Sequence, residues 1–104
     1  MALTREFKQT VQARVARDAA FREALLADAL DSLLSGDVDT GKAILRDYIN
    51  ATVGFEKLAL ATKTSPKSLM RMFSPRGNPQ ARNLFAVIHQ LQKRTGVKFE
   101  VRAA

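Results

Sequence analysis

The sequence predicts an all-α fold, a compact bundle of five to six helices closed by a short C-terminal β-strand. Three observations predict it. Apolar residues recur at helical spacing over most of the chain, capping residues stand where these stripes begin, and only the last few residues change to a period of two. At 104 residues and 46% hydrophobic content the chain is long enough for one real core without a metal or disulfide, and it holds no cysteine.

The elements follow in order. Thr4 reads as the cap of a first helix with the stripe Leu3, Phe7, Val11 and Val15, ending near Arg17. Asp18 reads as the N-cap of a second helix whose face is Phe21, Leu25, Ala29, Leu30, Leu33 and Leu34, stopped by Ser35-Gly36. Asp37 and Asp39 offer caps and favourable charge to a third helix carrying Ile44, Leu45, Tyr48, Ile49 and Thr52, closed by Gly54.

The helices then shorten. Phe55, Leu58, Ala59 and Thr62 make one face of a two-turn helix, and Lys63-Thr64 reads as a tight connection. Ser65-Pro66 starts the next with an N-cap and a proline at the first helical position, where its missing N–H costs nothing, and Leu69, Met72 and Phe73 point inward. After a loop over residues 74–77, Asn78-Pro79 repeats that signature and opens a last helix to about Thr95, with Ala81, Leu84, Phe85, Ile88 and Leu91 inward and Gly96 at its end. In the tail Val97, Phe99 and Val101 alternate with Lys98, Glu100 and Arg102, the pattern of a strand. Residues 1–36 read as an N-terminal helical extension and 37–104 as the second part of one compact unit.

The net charge of +7 is unevenly placed. Residues 1–54 hold seven Lys/Arg against eight Asp/Glu, whereas residues 55–104 hold ten against two, a local net charge of +8. A localised basic face attracts polyanions and releases their counterions, so nucleic acid leads as partner class, with RNA, anionic lipid or a merely solvated surface as the other readings. Residues 1–10 hold no apolar run of signal-peptide length, and the stretch 24–34 is too short and too charged to span a bilayer. A cytoplasmic protein, without membrane association, is expected.

Two short helices joined by a tight turn, the second carrying Lys and Arg on its free side, are what a helix-turn-helix requires. Ala59 supplies the small residue at the helix contact, and Leu58, Leu69 and Met72 form the joint. That leaves Lys67, Ser68, Met70 and Arg71 outward, the residue types that read base edges in a major groove, with Met70 placed for a thymine methyl. Lys63, Thr64, Ser65, Arg76, Asn78 and Arg82 flank them as phosphate contacts. A strand over 97–101 needs a neighbour, and no other segment reads as one, so Val97, Phe99 and Val101 are expected to pair with the same segment of a second copy; the alternative is a tail packed as an irregular arm on its own helices, with dimerisation elsewhere or absent.

Through Phe55-Glu56-Lys57-Leu58-Ala59 and Ser65-Pro66-Lys67-Ser68-Leu69 the chain resembles the lambda-repressor-like (Xre-type) helix-turn-helix family. More narrowly, the run from Ser68 to Pro79, with Gly77-Asn78-Pro79 at its end, is similar to the recognition helix and following loop of the HigA-like addiction-module antidote group. The resemblance covers roughly residues 41–97. It implies binding to a palindromic operator in double-stranded DNA as a homodimer, with autorepression, and in many members neutralisation of a toxin protein, which is the alternative main role. Lys63 stands where that family favours glycine, and Thr62 and Thr64 where it favours apolar residues.

Other chemistry finds little support. His89 is the only histidine, and with no cysteine a zinc site has too few ligands. Asp28 and Asp31 share a helix face, but no nucleophile or glycine-rich phosphate cradle accompanies them, so they read as a solvated acidic face open to a basic partner. No enzyme activity and no cofactor are expected.

Overall fold

The computed structural model describes residues 5–104, excluding the side chains of Arg5, Phe7 and Lys8. Among the described residues there are six helices and no strand: α1 (Arg5–Arg17), α2 (Ala19–Leu34), α3 (Val38–Ala51), α4 (Phe55–Thr62), α5 (Pro66–Met72) and α6 (Ala81–Thr95). None is long and apolar enough to cross a membrane. The expected cap at Thr4 and the stripe positions Leu3 and Phe7 lie outside the described residues.

The turn from α1 into α2 is built by side chains. Asp18 caps α2 by accepting the Phe21 N–H at 3.0 Å, and pairs with Arg14, whose guanidinium sits 4.5 Å from the Phe21 ring centroid. Arg22 then donates to the Val15 carbonyl at 2.7 Å, satisfying an acceptor that the end of α1 leaves open. Asp37 caps α3 in the same manner through the Thr40 N–H.

α3 runs through the middle, packed on α1 and α2, while α4 packs on α5 and α6. One apolar cluster joins the two halves of the chain: Leu26 and Ala29 of α2 are buried with Leu45, Tyr48 and Ile49 of α3, with Leu58 and Ala59 of α4, and with Leu69, Val87 and Leu91 beyond. The Phe55 and Phe73 rings meet at a centroid distance of 6.3 Å, tilted by 52°, and bracket the α4–α5 pair. The Tyr48 hydroxyl is buried here without a hydrogen-bond partner among the described residues. Burial pushes its pKa up, against opposing influences from Thr95 and Arg22. Thr95 lies beside it, but spends its own hydroxyl proton on the Leu91 carbonyl at 2.8 Å.

Four expectations are corrected. The tail, 97–104, forms no strand: Phe99 leans on the core and its N–H donates to the Gln92 side-chain oxygen at 2.9 Å, so a side chain takes the place of a neighbouring strand. α6 begins at Ala81 with Gln80 as its N-cap, not at Asn78-Pro79, and that cap makes no side-chain hydrogen bond. Its buried face is Val87, Ile88 and Leu91 with Leu84 half-buried, while Phe85 is 65% exposed and Ala81 is exposed, because the helix is rotated toward Val87. In α2 Leu26, outside the expected stripe, is buried beside Ala29, whereas Leu34 lies 68% exposed at the helix end.

Candidate nucleic-acid interface

The unit that displays the candidate residues is the α4–α5 pair. α4 ends in a left-handed turn at Lys63 (φ 55°, ψ 42°), the only residue other than glycine with positive φ among those described. In that conformation the following N–H, of Thr64, reaches back to the Ala59 carbonyl at 2.9 Å, and the chain reverses in two residues. Thr62 donates its hydroxyl to the Leu58 carbonyl at 2.9 Å and Thr64 donates to the Thr62 carbonyl at 3.1 Å, so both hydroxyls at positions where apolar residues would serve are satisfied locally. The tight connection expected of Lys63-Thr64 is therefore formed, with Lys63 in the conformation that glycine adopts most readily.

Ser65 caps α5 by accepting the Ser68 N–H at 3.1 Å, its hydroxyl lies 2.8 Å from that of Ser68, and Pro66 occupies the first turn. Leu69 and Phe73 are buried and Met72 is half-buried. Lys67, Ser68, Met70 and Arg71 are all exposed, and at 100° per residue they fall on the single arc opposite Leu69. Among the flanking positions Lys63, Ser65, Arg76, Asn78 and Arg82 are exposed and Thr64 is half-buried. Two of the set carry local duties as well: Ser65 is a cap, and the Thr64 hydroxyl is engaged within the turn.

A residue that sequence reasoning did not single out holds the loop after α5. Lys42, one turn into α3 and only 3% exposed, donates to the carbonyls of Ser74 at 3.0 Å and Gly77 at 2.6 Å, with Asp39 at 3.8 Å as its counter-ion. Gly77 is pressed so closely on the last carbonyls of α5, those of Arg71 and Met72, that a Cβ there would collide with backbone. Arg76 thus projects from a loop fixed at both ends. No local signal marks Lys42 as the holder of this loop, since the carbonyls it binds lie more than thirty residues away.

The third set, Val97, Phe99 and Val101, is not brought into one strand face. Phe99 is half-buried against the core, Val101 is 82% exposed beside α2 and α6, and Val97 borders a separate shallow recess with His89 and Lys93. No cluster of three or more His, Cys, Asp or Glu able to hold a metal occurs among the described residues. Compared with family models, curated proteins and solved structures, the chain matches none of them.

Proposed function

We propose that this chain is a sequence-specific DNA-binding transcriptional regulator that places α5 in the major groove and acts as a homodimer on a palindromic operator. The observation that carries the reading is the outward arc of α5. Lys67, Ser68, Met70 and Arg71 are exposed together on a short helix anchored from below by Leu69 and Phe73 and fixed at its start by the Lys63 turn and the Ser65 cap. An Arg in that position suits the paired acceptors of guanine, a Lys and a Ser suit base edges or adjacent phosphates, and Met70 suits a thymine methyl. Exposed Lys63, Arg76 and Arg82 supply charge on either side for the phosphate backbone.

The charge distribution and the resemblance to lambda-repressor-like regulators support the same reading, because the excess of +8 lies entirely in the half that contains α4 to α6. Selection of bound duplexes from a random DNA pool tests it. A palindromic consensus is the expected result, and a pool that stays unenriched through successive rounds contradicts it.

A further inference from the structure

Away from α5, the ends of α1, α3 and α6 and the start of α4 enclose a recess of about 450 Å³. Three cations line it, each from a different helix: Arg22 of α2, Lys57 of α4 and Arg94 of α6. No acidic residue lines it, and among the described residues no carboxylate pairs with any of the three. Like charges gathered around one hollow repel each other unless something negative lies between them.

Helix ends carry open carbonyls that could serve as that negative partner, but here the chain itself uses them. Arg22 spends Nη1 on the carbonyls of Val15 and Ala16 at the end of α1, which leaves the rest of its guanidinium. The Thr52 hydroxyl donates to the Tyr48 carbonyl near the end of α3, and that of Thr95 to the Leu91 carbonyl in the last turns of α6. Lys57 and Arg94 are exposed and make no hydrogen bond to any of these. Their donors are free for a ligand.

A second observation comes from below the recess. The Tyr48 hydroxyl is fully buried and has no hydrogen-bond partner among the described residues. The two groups that act on it, Thr95 and Arg22, both line the recess. Since Thr95 spends its own proton elsewhere, a proton donor without an acceptor lies behind the recess wall beside a cation.

We propose that this recess binds a phosphate monoester of small-molecule size. A phosphate dianion has three terminal oxygens and enough charge to engage three separately placed cations, which a carboxylate does not. The recess is larger than a bare phosphate needs and falls in the range of about 300–1,000 Å³ of small-ligand sites. Its remaining wall, with Val15, Val53 and Leu91, is apolar and suits the organic part of an ester. No residue of α5 or of the loop after it lines the recess, so the site is separate from the proposed DNA contacts and does not depend on them.

Calorimetric titration of the full chain with phenyl phosphate tests the proposal, with inorganic phosphate and phenol as the two halves of the probe. One saturable site is expected, with phenyl phosphate tighter than either half. Lys57→Gln and Arg94→Gln should each weaken it about tenfold, the loss of one charge-assisted hydrogen bond, with unchanged helical circular dichroism because both side chains are exposed. Lys93→Gln, an exposed neighbour on α6 outside the recess, should leave it unchanged. Absence of saturable binding up to millimolar phenyl phosphate overturns the proposal. So does a Lys93→Gln loss equal to that of Arg94→Gln, which would mean attraction to the basic surface alone. A short mixed-sequence duplex whose affinity falls in Lys57→Gln and Arg94→Gln by the same factor as that of phenyl phosphate also overturns it, by assigning the recess to a nucleic-acid backbone.

Discussion

The Lys42 ammonium donates to the Gly77 carbonyl at 2.6 Å, joining the first turn of α3 to the loop that follows α5 across thirty-five residues of sequence. With the bond to Ser74 it fixes the loop carrying Arg76, so the position of a candidate phosphate contact depends on a buried residue in the acidic half of the chain. Lys42→Met keeps the apolar stem and removes the donor. It is expected to destabilise the fold by about 2 kcal/mol, the range for hydrogen bonds to a charged group, as a lower urea midpoint at unchanged slope. An unchanged midpoint would show that the loop is held by Gly77 packing alone.

Lys63→Gly should separate stability from binding. Glycine takes the left-handed conformation without the cost of about 1 kcal/mol that a side chain incurs there, though its freer unfolded chain offsets part of the gain. The melting temperature is expected to stay level or rise slightly while affinity for DNA falls through loss of a cation. A fall in both would mean that the lysine stem stabilises the turn.

Tyr48→Phe removes a buried hydroxyl that has no hydrogen-bond partner among the described residues. Deleting an unsatisfied polar group while keeping the ring is expected to be neutral or to stabilise by up to about 1 kcal/mol, read as a raised denaturation midpoint. A clear loss of stability would show that the hydroxyl finds a partner in solution.

Acid should weaken the two helix caps. Hydrogen bonds from the Thr40 hydroxyl and backbone N–H lower the Asp37 pKa below its ordinary value of 3.8. The Phe21 N–H does the same for Asp18, opposed by burial, with Arg14 adding to the lowering. A carboxylate whose folded pKa is depressed contributes stability that is present above the unfolded pKa and lost as pH falls through the folded one, so the loss lies below 3.8. Asp37→Asn keeps a capping oxygen but does not titrate. Its melting temperature should fall less than that of the unsubstituted protein between neutral pH and about pH 3, and equal falls would count against the cap as a titrating element.

Where the signal was local, the sequence was readable. Asp18, Asp37 and Ser65 cap the helices they appeared to cap, Pro66 lies in the first turn of α5, and the arc of α5 opposite Leu69 follows from spacing alone. The same reasoning failed at Asn78-Pro79 because the preceding loop is tied to Lys42, and the chain stays outside the helix until α6 begins at Ala81, with Gln80 extended as its cap. In α6 both flanks of the Leu84, Ile88 and Leu91 stripe are apolar, and only tertiary packing decides that Val87 is buried and Phe85 exposed. The tail has strand composition but no strand beside it among the described residues, and the Gln92 side chain accepts the N–H that a ladder would have used.

The central claim, that the free arc of α5 reads base pairs while the flanking loop holds the backbone, is tested most directly by the ratio of operator to scrambled-duplex affinity in Arg71→Ala and Arg76→Ala, measured at one salt concentration. Arg71→Ala is expected to lose about 1–3 kcal/mol on the operator with little change on the scrambled duplex, collapsing the ratio. Arg76→Ala is expected to weaken both together and to flatten the salt dependence by a log–log slope of about 0.9 for the phosphate lost. If both variants lower operator and scrambled affinity by the same factor, α5 does not read sequence and the claim is wrong.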